Sequence, residues 1–206
     1  MSFPKSLVVV LAFAFLVGCV NLKQPSYKID YFALEYEPIP VGDLKPLSHV
    51  LKVNRFCVAP VYNTTQMIYR DRPFRREAYT YHKWRTNPGD LVSSFLVRDI
   101  QRSGLFKAVV PDESRLVASY VLGGCVDEFL ESNRDGAMQA VLTVTTTLVA
   151  GGERNIPKNV LFQKTFHVAK PCKEKSPQGL AEAMSQAMAQ VSQDIIISLH
   201  NRLKDK

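Results

Sequence analysis

Four cysteines and four histidines are the side chains of this 206-residue chain best suited to covalent or proton-transfer chemistry, and their spacing limits what they can do. His49, His82, His167 and His200 stand alone. None belongs to a His-Glu-x-x-His pair, and no Gly-x-Ser-x-Gly elbow or Cys-His arrangement supplies an activated nucleophile. Gly151-Gly152, in Gly-Gly-Glu-Arg-Asn-Ile-Pro-Lys, lacks the spacing of a phosphate-cradling loop, and no helix pattern follows it. No enzyme is expected, and no cofactor or metal. Cys57 and Cys125 fall in apolar, strand-like runs, where a cysteine acts as a small buried hydrophobe. Cys19 differs, because its thiol directly follows Gly18 at the end of a long apolar run, a position where sulfur can be acylated.

That apolar run, Leu7 to Cys19, decides the compartment. It follows Lys5 and is far shorter than the ~20 residues a membrane-spanning helix needs, so it reads as a secretory signal. Leu16-Val17-Gly18-Cys19 resembles a bacterial lipoprotein processing site, in which cleavage removes residues 1–18 and leaves acylated Cys19 as the new N-terminus. Each buried methylene contributes about 0.8 kcal/mol, so several acyl chains on one cysteine hold a protein durably at a membrane. Lipoproteins retained in the inner membrane often carry Asp after the cysteine. Val20 stands there instead, which favours the outer membrane and its periplasmic face. Residues 19–28 form a short polar tether whose reach is about 30 Å, so the domain must sit close to its membrane.

Residues 29–206 have the length and composition of one globular domain. The formal charge of +7 falls by one when Lys5 leaves, and the basic remainder suits anionic headgroups or acidic proteins. Nucleic acid is not an expected partner outside the cytoplasm.

The elements follow from periodicity and punctuation. Ile29 to Tyr36 and Val50 to Tyr62 read as strands, the first stopped by Pro38, Pro40, Gly42 and Pro46. Asn87-Pro88-Gly89-Asp90 opens a helix, with Asn87 as N-cap, Pro88 at the first position, and Asp90 placed to bond back and complement the dipole. Its apolar stripe is Leu91, Val92, Phe95, Leu96 and Ile100. Its wet face is Ser93, Arg98, Asp99, Gln101 and Arg102, and Ser103-Gly104 ends it. Leu105 to Val110 is a short strand. Leu116 to Phe129 and Ala137 to Ala150 form a hairpin about the Asp135-Gly136 turn, and Val160 to Ala169 returns after a turn at 151–159. In the middle strand Met138, Ala140, Leu142, Val144 and Leu148 take one face, and Gln139, Thr143, Thr145 and Thr147 the other. Ser176-Pro177 starts a last helix running to about Leu203, with Leu180, Met184, Ala187, Val191, Ile195, Ser198 and Leu199 on its apolar face. Ile195-Ile196-Ile197 widens that face enough to suggest cover by a second copy, a homo-oligomer.

These elements predict a single α+β domain: a mostly antiparallel twisted sheet with two helices packed on one face. Cys57, Cys125 and Cys172 are odd in number, so at most one pair can form. In a meander Cys125 and Cys172 lie two strands apart, at about 4.8 Å per strand, beyond the ~7 Å Cα limit, so they are not expected to bridge. A Cys57–Cys172 pair stays open.

Met67 to Arg85 is the unusual stretch, where six basic side chains interleave with six aromatic ones counting His82, opposed only by Asp71 and Glu77. Two readings stand side by side. One is a β-hairpin whose rings pack on the sheet while arginine stems lie over apolar surface. The other is a recognition surface in which Tyr69, Arg70, Arg72, Arg75, Arg76, Tyr79, Tyr81 and Trp84 bind a partner.

Val58-Ala59-Pro60, Tyr69-Arg70, Tyr81, Trp84 with Pro88 four positions on, and Ser103-Gly104-Leu105-Phe106-Lys107-Ala108-Val109 together resemble the ABC-type transport auxiliary lipoproteins, the group that includes paraquat-inducible protein C. No member of that pattern is a catalytic group. The resemblance implies a non-catalytic subunit of a lipid-transport system with an inner-membrane permease, an ATPase and a periplasm-crossing mammalian-cell-entry (MCE) domain protein, this chain standing at the outer membrane. The alternative is a structural envelope lipoprotein that scaffolds protein or peptidoglycan contacts with no part in transport.

Overall fold

A computed structural model describes residues 27–134, 136–151 and 159–206. The signal segment 1–18, Cys19 and tether residues 19–26 lie outside the described residues, as do 152–158 of the expected turn. Among the described residues the strands are β1 (Asp30–Phe32), β2 (Leu47–Val53), β3 (Cys57–Val58), β4 (Gln66–Arg70), β5 (Glu77–Trp84), β6 (Phe106–Pro111), β7 (Tyr120–Arg134), β8 (Ala137–Ala150) and β9 (Val160–Pro171), and the helices are α1 (Pro88–Arg102) and α2 (Pro177–Leu203).

Both helices start where local chemistry starts them. The Asn87 side chain accepts the Gly89 N–H at 2.9 Å, the Ser176 hydroxyl accepts the Gly179 N–H at 3.0 Å, and each cap is followed by proline. Gly104, at φ +66°, takes the left-handed position just past α1. Asp90 does not bond back to its own cap. Arg55 Nε donates to its carboxylate at 2.6 Å, while the charge still lies in the first turn where the helix dipole favours it.

All strands join one sheet organised around β7, which pairs with β8 along one edge from Tyr120↔Ala150 to Arg134↔Ala137. Its other edge is met in turn by β2 at Leu51↔Tyr120, β3 at Cys57↔Cys125 and β4 at Tyr69↔Glu131, each running parallel to it. β6 extends the sheet beyond β2, β5 and β1 extend it beyond β4, and β9 lies outside β8. The expectation of a mostly antiparallel sheet is corrected: the sheet is mixed and curls into a half-barrel. Alternation along β8 reports which face is buried, but it carries no information on the direction of neighbouring strands. Consecutive strands are antiparallel in three places, β4–β5, β7–β8 and β8–β9, whereas the crossover through α1 brings β6 back parallel to β2.

The strand expected over Val50 to Tyr62 is broken, because the chain leaves β7 to meet α1. There Phe56 N–H donates to Ser93 Oγ at 2.9 Å, and Pro60–Tyr62 forms a 3-10 turn. Past that break, Cys57 and Cys125 are bonded as a disulfide across the parallel pair, Cα–Cα 4.4 Å. Cys57 is exposed, so reading both cysteines as buried hydrophobes is corrected. Register is the cause: it brings together residues 68 apart in sequence, and closing a loop of that size stabilises by about 4 kcal/mol in the chain-entropy account. Cys172 carries a free thiol, so neither Cys125 nor Cys57 bridges to it.

α1 lies against β6 and β7, α2 against β8 and β9, and the helices touch each other, so both cover one face of the sheet. Leu91, Val92, Leu96 and Ile100 of α1 meet Leu180, Met184, Ala187, Val191, Ile195 and Leu199 of α2 in a core floored by Ala140, Leu142, Val144 and Leu148. Asp99, assigned to the wet face of α1, is instead 2% exposed. Ile195 and Ile196 are buried by the chain itself, while Ile197 is half-buried.

Candidate functional site

The stretch from Met67 to Arg85 folds as the β4–β5 hairpin, and the structure separates its residues into three environments. Trp84 belongs to the core: it is 1% exposed and meets the Phe129 ring edge-on at 5.1 Å, so its indole offers nothing to a partner. Tyr69 and Tyr79, with rings 5.0 Å apart, are half-buried. Arg72 and Arg75 are exposed beyond the strand ends, together with Phe74, which is fully exposed at φ +64°. Phe74 was missed as a candidate. The only sequence signal for it was an apolar residue placed between Pro73 and two arginines.

Register explains the inner group. Tyr69 lies opposite Glu77 on β5 and Glu131 on β7, so the three share one face of the sheet, as Met67 and Phe129 share it nearer the core. The Tyr69 hydroxyl donates to Glu77, and Arg75 pairs with the other oxygen of the same carboxylate. Those contacts, Tyr69 first and then Arg75, hold the Glu77 carboxyl below its usual range. Next to it the Tyr79 hydroxyl donates to Glu131 at 2.8 Å, and Asn133 Nδ2 donates to that carboxylate at 2.5 Å. Glu131 is only 2% exposed. Burial, and then the bond to Glu131, raises the Tyr79 hydroxyl pKa, while burial and Glu131 push the Cys172 thiol to about 11. That thiol is protonated at neutral pH and a poor nucleophile.

The basic side chains are more compensated than the sequence suggested. Arg70 Nη2 donates to Ser132 Oγ at 3.1 Å, Arg76 Nε to the Tyr62 hydroxyl at 3.2 Å, and Arg72 lies 3.4 Å from Asp71. Tyr81 is exposed and stacks on Tyr27, ring centroids 4.7 Å apart. The hairpin therefore presents Tyr81, Arg72, Arg75 and Phe74 outward over a polar, hydrogen-bonded interior. Among the described residues no group of histidine, cysteine and carboxylate side chains could hold a metal, and no helix is long and apolar enough to cross a membrane.

Comparison with solved structures shows the same fold in a Xanthomonas campestris protein described by the family label DUF330, at TM-score 0.77 and 20% identity, covering 85% of this chain and 97% of that one. An uncharacterised protein matches at TM-score 0.64 and 16% identity over 84% of this chain and 99% of its own. A hypothetical protein of Chlamydia trachomatis matches at TM-score 0.51 and 9% identity, over 78% and 100%. At these identities the likeness is one of fold. Comparison with curated proteins gave no match. The model of the ABC-type transport auxiliary lipoprotein component family matches residues 33–196, nearly the whole described domain. The chain belongs to the ABC-type transport auxiliary lipoprotein component family.

Proposed function

We propose that this chain is the outer-membrane-anchored, non-catalytic subunit of an ABC transport system that moves lipid between the two membranes. Its partners are an inner-membrane permease, an ATPase and a periplasm-crossing MCE-domain protein. The observation that carries the reading is the joining of Leu16-Val17-Gly18-Cys19, followed by Val20, to a domain of a transport-associated lipoprotein family. The subunit needs no active site of its own, because the ATPase supplies the work and the lipoprotein supplies position. Tyr69, Arg70, Arg75, Arg76, Tyr79 and Tyr81 form the flank of the hairpin that meets the MCE-domain protein. Aromatic rings there supply contact area at low entropic cost, and arginines supply charge complementarity.

Two measurements test this. Fractionation of the Cys19→Ala chain should show loss from the outer membrane and an altered mass, and unchanged membrane association and processing would end the anchor reading. An Arg76→Glu, Tyr81→Ala chain should keep its circular dichroism and lose co-purification with the MCE-domain protein. Co-purification at the wild-type level would remove the hairpin from the interface.

A further inference from the structure

The hairpin tip Asp71–Arg76 combines an exposed aromatic ring, exposed cations and an unfavourable backbone. Phe74 is the one non-glycine residue at positive φ among the described residues, a conformation that opposes an L side chain and is kept where the surroundings or a function require it. Its ring lies wholly in water. Arg72 is exposed two residues before it, and Arg75 and Arg76 follow it directly.

The course of the N-terminal chain points to what the tip faces. β1 runs parallel to β5, with Asp30 opposite His82 and Phe32 opposite Trp84. Followed backward from Asp30, the chain therefore heads toward the start of β5, the end of the hairpin that carries the tip, and Tyr27 already lies on Tyr81 at 4.7 Å. From Tyr27 to Cys19 the chain can span at most ~28 Å. From Tyr81 back to Phe74 is about 23 Å along extended chain. The described chain thus leaves the domain at the end that carries the tip, and the length from Tyr27 to Cys19 is short enough to keep that end near a surface holding Cys19.

We propose that Phe74 and Arg72 make a second, non-covalent attachment to the anionic phospholipid leaflet that holds the Cys19 lipid. The phenyl ring enters the boundary between headgroups and acyl chains, where aromatic side chains concentrate, and the Arg72 guanidinium meets the phosphates. A lipid chain on a tether fixes distance but leaves the domain free to turn. A second contact at the tip fixes which side of the hairpin faces the periplasm, and so orients the flank that carries Tyr81. The inference rests on acylation of Cys19.

The test uses the acylated full chain with Phe74→Trp, reconstituted in phosphatidylglycerol and phosphatidylethanolamine vesicles whose acyl chains carry bromine. Trp84, the single native tryptophan and 1% exposed, is the internal control and should stay unquenched. The tryptophan placed at 74 should shift to the blue and lose most of its emission. Adding Arg72→Glu should weaken the tip's attachment by about fivefold or more, the effect shrinking as salt is raised. Flotation of the same samples reads the anchor separately. A chain that floats while the tryptophan at 74 stays bright overturns the membrane contact and leaves the tip to a protein partner. A chain that does not float overturns the anchor, and this inference with it.

Discussion

Asp99 on α1 and Glu131 on β7 are both carboxylates only 2% exposed, and both accept a tyrosine hydroxyl, yet the two ends of the molecule stabilise them by different means. Asp99 takes the Tyr36 hydroxyl at 2.6 Å and Arg98 Nε at 2.7 Å, and the Arg98 guanidinium lies 4.3 Å from the centroids of both the Tyr36 and Phe95 rings. Its charge is met by a cation sandwiched at the protein edge. Glu131 is held by the Tyr79 hydroxyl and the Asn133 amide, both neutral donors. Both carboxylates accept charge-assisted bonds, but only that of Asp99 is paired with a cation, and removing one partner of a buried ion pair costs more than removing a neutral donor. The helical end is therefore locked, with the segment before Glu37 latched to α1 through Tyr36. The hairpin end rests on a softer set of bonds next to the surface proposed for binding.

The comparison is broken first at its stronger side. Asp99→Ala leaves the Arg98 guanidinium and the Tyr36 hydroxyl without their shared partner, and should lower stability by about 3–5 kcal/mol in urea unfolding. A loss below that of the hairpin variant would invert the ranking. Tyr79→Phe removes one donor from Glu131, and should cost about 1–3 kcal/mol while leaving the Trp84 emission of the folded protein unchanged.

The smallest effect concerns Cys172, which senses Glu131 without bonding to it. In the folded chain its thiol should react with iodoacetamide along a curve centred near pH 11, against an ordinary value of 9.0. Because the folded value is the raised one, the associated stability is fully present below the unfolded pKa and is lost as pH rises through the folded one. Glu131→Gln removes the neighbouring charge and should draw the curve part of the way down, burial accounting for the rest. A native curve centred at the ordinary thiol value would show that Glu131 and burial do not act on Cys172 as placed.

Local signals carried well from sequence to structure. Asn87-Pro88 and Ser176-Pro177 start helices at those residues, Gly104 ends the first, and Met138, Ala140, Leu142, Val144 and Leu148 of β8 are buried as expected, although Thr143, expected on the wet face, is buried as well. Each is a statement about a residue and its neighbours within a few positions, where capping bonds, fixed proline φ and side-chain periodicity act directly. The candidate site was legible in composition and misjudged in detail. Trp84 stood in a row of surface-like residues, yet it packs on Phe129, a residue 45 positions away in sequence. Arginines that seemed uncompensated find Ser132 and Tyr62, which no short window contains.

By itself the sequence determined the two capped helices, the hairpin joining β7 and β8, and the residue pattern of the family to which the chain belongs. Tertiary structure alone decided that β2, β3 and β4 line β7 in parallel, that Cys57 and not Cys172 bridges Cys125, and that Asp99 is buried beneath Tyr36. It also decided that Phe74 stands at the end of the domain toward which the N-terminal chain heads. The difference has one cause: capping and alternation are settled within a turn or a pleat, while strand direction, register and burial depend on which distant segments the curl of the sheet brings together.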